Sequence, residues 1–258
     1  MNNSLAMSAD ALRLIAGQRH MSKQSAYLIT GCPAFDQRLK GGLPRAALHE
    51  IFSAKQEDIA SSSAFAVMLM LRLGEADRPT VWIAEEKVRL LSGRIYPPGL
   101  AALGGNPDAM VLVETGNAKD ALRASADAIR SAAASAVILS VYGNAPLIDL
   151  TATRRLMLAA SQAGVLALLL RFDAKPTPSA AYSRWQIASA PSRPLAAGAP
   201  GHTAFDVTLA RHRGGVAPFE MRLEWNHDQR IFRESPLSGG LSTFASGGTA
   251  GAPERQTA

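Results

Sequence analysis

Residues 48–73 place an apolar run, a polar turn and a helical pattern in succession, the order in which many proteins build a phosphate-binding loop. Such a loop needs G-x-x-x-x-G-K-[S/T]: backbone N–H groups cradle the phosphates, the lysine reaches the β and γ oxygens, and the hydroxyl holds Mg²⁺. The turn here, Ser53–Ser63, contains no glycine, and Lys55 comes early in it. Glu57 and Asp58 would repel a triphosphate. The turn therefore lacks the groups that ATP hydrolysis requires.

Three hydroxyl side chains, Ser61, Ser62 and Ser63, open the helix predicted over Ser61–Leu73. An anion could visit this helix N-terminus, where backbone N–H groups are unpaired. Ordinary helix capping explains the serines more simply. We assign Ser61 and Ser62 to a degenerate nucleotide pocket and predict no catalysis there.

Other residues that could carry catalysis or bind a metal are sparse. The five histidines and the single cysteine, Cys32, show no metal-ligand spacing. Neither a G-x-S-x-G nucleophile motif nor a G-x-G-x-x-G dinucleotide motif is present. One cysteine excludes an internal disulfide, and we expect Cys32 to be a small buried side chain. The sequence predicts neither a metal nor a cofactor.

The elements around the turn alternate between strands and helices. Continuous apolar runs, typical of strands covered on both faces, predict strands at Leu48–Phe52, Thr80–Ala84, Met110–Glu114, Ala136–Val141 and Val165–Leu170. Helices are predicted at Ser61–Leu73, Ala118–Ala134 and Asp149–Ala163. This alternation indicates an α/β fold with a mostly parallel sheet flanked by helices.

The pattern changes after residue 180. Strands are predicted at Trp185–Ala188, Phe205–Arg211 and Phe219–Trp225, and the last two form a C-terminal antiparallel hairpin around Gly214 and Gly215. Residues 189–204 are predicted to be a mobile loop. We divide the chain into an N-terminal helical extension (1–26, with a short helix over 8–19), a core (27–235) and a disordered tail (236–258) rich in small polar residues.

Several short motifs, in this order, resemble the ImuA family, whose members are RecA-like accessory factors of bacterial error-prone translesion synthesis. They are Thr30-Gly31, Asp36 and Gly41–Pro44 ahead of the first core strand, the stretch Arg94–Asp108, Arg184-Trp185, Leu209–Gly215 and Leu223–Trp225. The resemblance spans about residues 27–233 and implies a RecA-like core. It also places Glu85 and Glu86 where RecA-like ATPases carry a water-activating Glu, and Ser140, with Tyr142 just beyond, where their metal-binding Asp ends a strand. Glu85 and Ser140 thus join the degenerate pocket, although surface charge explains both glutamates more simply.

The same resemblance draws attention to a basic pair, Arg211 and Arg213. RecA-like proteins often place such a pair at this strand end, where it reaches a neighbour's nucleotide. Here the pair has two explanations: a cationic contact to a partner subunit, DNA or a neighbouring ATP, or a solvated hairpin turn. Together with Arg184 it forms the predicted partner or anion contact. The two loops that correspond to DNA-binding loops of RecA, Val141–Ile148 and Phe172–Ser183, hold one lysine, Lys175, so any single-stranded DNA contact should be weak and salt-sensitive.

Composition is ordinary for a globular protein, with 47% hydrophobic residues and a net charge of +6. The positive excess lies at both ends of the chain and is carried mostly by arginine, which suits contacts to carboxylate or phosphate. An acidic protein partner, weak nucleic-acid contact and a solubilising surface all explain it. We find no signal peptide and no run long enough to span a membrane, and we expect a cytoplasmic protein.

The leading hypothesis is a non-catalytic RecA-like adaptor in the DNA-damage-induced (SOS) mutagenesis machinery. The resemblance implies an ImuB-like Y-family protein, an error-prone polymerase and RecA itself as partners. Two alternatives stay open. One is a SulA-like cell-division inhibitor, also RecA-like without a phosphate loop, although the length of the chain argues against it. The other is an ATPase with a rearranged nucleotide site.

Overall fold

One large sheet organises the protein in the computed structural model, which describes residues 26–74, 78–192, 194 and 201–235. The predicted N-terminal helix and the predicted tail lie outside the described residues. The strands of the sheet are β3 (Leu48–Ser53), β4 (Thr80–Glu85), β5 (Met110–Thr115), β6 (Ala136–Tyr142), β7 (Leu166–Phe172), β8 (Ser183–Ala190), β9 (Ala204–His212), β10 (Phe219–Asn226) and β11 (Ile231–Glu234). Their spatial order is β11-β10-β9-β8-β3-β7-β6-β4-β5.

The sheet has a parallel part and an antiparallel part. Strands β8, β3, β7, β6, β4 and β5 pair in parallel. Strands β8 to β11 pair antiparallel, so the predicted hairpin of β9 and β10 is confirmed and belongs to a larger antiparallel extension. Two short strands, β1 (Tyr27–Leu28) and β2 (Leu43–Pro44), form a separate antiparallel pair ahead of β3.

Helices cover both faces of the sheet. They are α1 (Pro33–Arg38), α2 (Ile59–Leu71), α3 (Glu86–Ser92), α4 (Pro97–Ala102), α5 (Ala118–Arg130) and α6 (Leu150–Ala163). Side chains of β7 alternate between the two layers: Leu168 and Leu170 pack with α1 to α4, whereas Leu169 packs with α5 and α6. This alternation explains why β7 is apolar on both faces along most of its length. Within the described part of the chain, every helix is too short or too polar to cross a lipid bilayer.

The structure departs from the sequence-based prediction at the margins of the sheet. Strand β5 is an edge strand, and its Val111 and Leu112 are 46% and 47% exposed, so its apolar run does not mean burial on both faces. The expected loop over 189–204 begins later, because β8 continues to Ala190. Strand β11 and helix α1 were not predicted; α1 begins at Pro33, in the first helical position, where a missing N–H costs nothing.

Candidate functional site

Helix α2 begins at Ile59, two residues earlier than the sequence predicted. A single 3₁₀ turn over Gln56–Asp58 connects β3 to it. Ser61 and Ser62 therefore lie inside the first turns of the helix, and the prediction that the serines cap it is wrong. Ser62 is buried, and its hydroxyl has no hydrogen-bond partner among the described residues.

The residue that precedes α2 is Asp58, and its carboxylate is held by the chain itself. Oδ1 accepts hydrogen bonds from the Ser189 backbone N–H and the Ser189 hydroxyl, both at 2.8 Å, and Oδ2 accepts from the Lys55 N–H at 3.1 Å. Asp58 is only 4% exposed. A negative charge at a helix N-terminus is favourable, because the macrodipole is positive there. The chain thus places its own anion in front of the helix that binds phosphate in ATP-hydrolysing proteins of this layout.

Glu85 and Ser140 lie side by side at the carboxyl ends of β4 and β6, where Ala84 and Ser140 are in register. Both side chains are engaged within the protein. Oε2 of Glu85 accepts a hydrogen bond from the Tyr142 N–H at 3.1 Å. The Ser140 hydroxyl donates to the Ile83 carbonyl at 3.3 Å and accepts from the Trp82 indole N–H at 3.2 Å. These bonds tie the two strand ends together.

Glu86 and Lys87, which follow Glu85 in the sequence, also contact other side chains of the protein. Glu86 is exposed and forms an ion pair with Arg89 at 3.4 Å, which confirms its expected surface position. The Lys87 ammonium lies 4.5 Å from the centroid of the Tyr142 ring. The Tyr142 hydroxyl donates a hydrogen bond to Asp173, which raises the pKa of the phenol together with burial.

Arg184 lies on β8, directly beside Glu50 on β3. Its Nε and Nη2 donate to Oε2 of Glu50 at 3.0 and 2.9 Å, and Nη2 also donates to the Thr177 carbonyl at 2.5 Å. Glu50 is fully buried. Arg184 therefore compensates a buried carboxylate, and a contact between Arg184 and a partner stays a prediction.

Arg211 and Arg213 both reach the segment ahead of β8. Nη2 of Arg211 donates to the Ala181 carbonyl at 2.8 Å, and Nη1 of Arg213 donates to the Ala180 carbonyl at 3.2 Å. Burial lowers the pKa of Arg211, and the charge of Arg184, its cross-strand neighbour, lowers it further. The structure thus brings Arg184 and Arg211 together, whereas Arg213 is exposed at the turn.

Sequence reasoning missed a further member of this group, Arg171 on β7. It lies in register with Phe52 of β3, and the guanidinium carbons of Arg171 and Arg184 lie 5.7 and 5.4 Å from the Phe52 ring centroid. The sequence does indicate it, because Glu50 and Arg171 each place a charge in or next to a strand predicted to be buried, and a buried charge requires a partner.

We call Glu50, Arg171, Arg184 and Arg211 the buried charge cluster. It holds three arginines and one carboxylate, so it carries excess positive charge next to the carboxyl ends of β3 and β7. Such an arrangement is suited to attracting an anion. The described residues hold no group of histidine, cysteine and acidic side chains that could ligate a metal.

Two comparisons relate this geometry to known proteins. The chain is 32% identical over 192 residues to the protein named ImuA in two strains of Caulobacter vibrioides, a match that covers 68% of this chain and 73% of that protein. A crystal structure of the RadB recombinase superposes with a TM-score of 0.54 at 13% identity and covers 81% of this chain and 100% of that one. This likeness confirms the predicted RecA-like fold. No protein-family model matches the chain.

Proposed function

Because the chain belongs to the ImuA family, we propose that it is a non-catalytic RecA-like adaptor in DNA-damage-induced (SOS) mutagenesis and translesion synthesis. In this role it acts by protein contacts with an ImuB-like Y-family protein and an error-prone polymerase, and RecA is a third candidate partner. The family assignment supports the cellular process, and the geometry around α2 supports the absence of catalysis.

The single observation that carries the non-catalytic part is the position of Asp58. Its buried carboxylate is fixed by three hydrogen bonds in front of α2. A triphosphate in the usual place would meet this negative charge at close range, where like charges repel. Lys55, the sole lysine in the turn, is exposed and precedes the helix by four residues.

Nucleotide titration tests this part. The full chain is titrated with Mg²⁺ and a fluorescent ATP analogue up to about 1 mM, the upper end of ordinary KM values. We expect no saturable signal. Asp58→Asn keeps an oxygen acceptor but removes the charge, and Glu57→Gln removes a neighbouring exposed charge as the matched control. If Asp58→Asn binds the ATP analogue and Glu57→Gln does not, the Asp58 charge is what excludes the nucleotide. Saturable binding of the analogue by the wild-type chain overturns the non-catalytic proposal.

Co-purification tests the adaptor part. The tagged full chain is used to capture the ImuB-like protein, the error-prone polymerase and RecA from the same genome. We expect retention of at least one, and loss of that partner with Arg213→Glu. Arg130→Glu, an exposed arginine at the end of α5, is the matched control for charge reversal and should retain it. Absence of all three partners from the wild-type capture would overturn the adaptor role.

A further inference from the structure

A cavity of about 300 Å³ opens beside the buried charge cluster, between the turn that follows β6 and the segment that follows β7. Its walls are mostly apolar. The lining residues that matter for its chemistry are Ala145, Pro146, Ile148, Leu150, Pro178 and Arg171. The cavity thus combines an apolar wall with one guanidinium.

Three hydrogen bonds hold the walls in place. The Lys175 N–H donates to the Asn144 side-chain oxygen at 2.8 Å, and the Gly143 N–H donates to the Phe172 carbonyl at 2.8 Å. Arg184 anchors the second segment through the Thr177 carbonyl. Because both segments are fixed to each other and to the sheet, a ligand would not have to order them, which lowers the cost of binding.

Arg171 is a buried charge whose hydrogen bonding is incomplete. It is 1% exposed, and neither its Nε nor its Nη1 has a hydrogen-bond partner among the described residues. The charge of Glu50 acts on Arg171, but both hydrogen bonds to Oε2 of Glu50 come from Arg184, and its Oε1 accepts none among the described residues. A buried guanidinium with unsatisfied donors is destabilising unless an anion accepts hydrogen bonds from them. Burial accordingly lowers the pKa of Arg171.

The surroundings select the kind of anion. Asp149 also lines the cavity, where its Oδ1 caps α6 by accepting from the Ala152 N–H at 2.7 Å, and its charge disfavours a multiply charged group such as phosphate. Leu150, which lines the cavity, and Leu147, its neighbour in the sequence near the cavity, are 51% and 54% exposed. The two loops carry Lys175 as their one cationic residue, whereas a nucleic-acid backbone is bound by several cations. A peptide with one carboxylate among apolar side chains matches this surface.

We propose that the cavity between residues 143–149 and 173–182 binds a carboxylate of an apolar peptide segment, which pairs with Arg171. The carboxylate comes from an acidic side chain or from a chain terminus, and both sources share this chemistry. The site goes beyond the proposed adaptor function, which assigns no ligand to it. It is tested on the isolated full chain, so its failure is distinct from failure of the co-purification.

The test follows the Nε–H resonance of Arg171 in ¹⁵N-labelled full chain by NMR. The probes are acetyl-leucyl-aspartyl-leucinamide, with a side-chain carboxylate, and acetyl-trileucine, with a terminal one. Acetyl-leucyl-asparaginyl-leucinamide is the neutral control, and oligothymidylate is the nucleic-acid arm. We expect a saturable shift with at least one carboxylate probe and none with the neutral control; the probe that binds more tightly identifies the source. A shift caused by oligothymidylate alone, or equally by the neutral peptide, overturns the proposal.

A cavity-filling variant keeps the test independent of Arg171, whose replacement could unfold the protein. Ala145→Leu fills the cavity and retains the charge cluster, and we expect at least about tenfold weaker binding of the carboxylate probe, the consequence of losing roughly 1.4 kcal/mol of binding free energy. Ala133→Leu adds the same side chain at an exposed position and should bind as the wild type does. Unchanged binding by Ala145→Leu would place the probe elsewhere and overturn the proposal.

Discussion

The surroundings of His49 on β3 stabilise the neutral form of its imidazole. Its Nε2 lies 2.8 Å from the Pro44 carbonyl, which can only accept, so Nε2 carries the proton. Nδ1 then accepts from the Ser183 hydroxyl at 2.6 Å. Complete burial lowers the pKa of the imidazole to about 4, because the charged form would lose its hydration.

This histidine predicts a pH dependence of stability. As the pH falls from 6.5 to about 4, the unfolded chain takes up a proton on His49 while the native imidazole stays neutral, so the free energy of unfolding decreases. The full loss from this group is about 3 kcal/mol. Urea unfolding across this range should show the advantage of wild type over His49→Gln shrinking as the pH falls. For His202→Gln, at a partly exposed position, the free energy of unfolding should change with pH as it does in the wild type. The same pH dependence in His49→Gln and the wild type would contradict the prediction.

We expect strand β11 to contribute to the stability of the protein through its buried side chain, Phe232. Its Phe232 is fully buried, and the ring centroids of Phe65 and Trp225 lie 5.4 and 5.0 Å from its own. Phe232→Ala should therefore destabilise the protein by about 3–5 kcal/mol, from lost burial and the cavity left behind. Thermal or urea unfolding measures this. Arg233→Ala, exposed on the same strand, should change stability by less than about 0.5 kcal/mol. Equal effects of both variants would show that β11 is not part of the core.

The same strand shows where prediction from sequence stops. Strands β3, β4, β6 and β7 were predicted to within about two residues, because burial on both faces leaves a mainly apolar run in β4, β6 and β7 and apolar residues at both ends of the β3 prediction. β11 has four residues, two of them charged, and is defined only by its pairing with β10. Asp58 was recognised as a charge that repels phosphate, but its hydrogen bonds to Ser189 were not predictable, since 131 positions separate the two residues.

At the scale of the whole molecule, the net charge of +6 is not concentrated on the two loops that follow β6 and β7. We expect single-stranded DNA to bind with a Kd of about 10⁻⁴ M or weaker at physiological salt. The logarithm of the association constant should fall linearly with the logarithm of the salt concentration, with a slope of about −0.7 for each phosphate contact. Anisotropy of labelled oligothymidylate over a salt series measures both. Lys175→Ala should flatten the slope by about 0.7, whereas Lys119→Ala on α5 should leave it unchanged. A steep slope that Lys175→Ala does not alter would refute this expectation.

The central position of β3 has a consequence for the synthesis of the protein. β3 is among the first strands to leave the ribosome, yet both strands that flank it in the sheet, β7 and β8, come late in the chain. His49 and its partner Ser183 are separated by 134 positions. At ordinary translation rates, the time between the synthesis of β3 and that of its neighbours is on the order of 10 s. Throughout that time the nascent chain carries β3, with its apolar side chains and its buried charge, without either neighbouring strand.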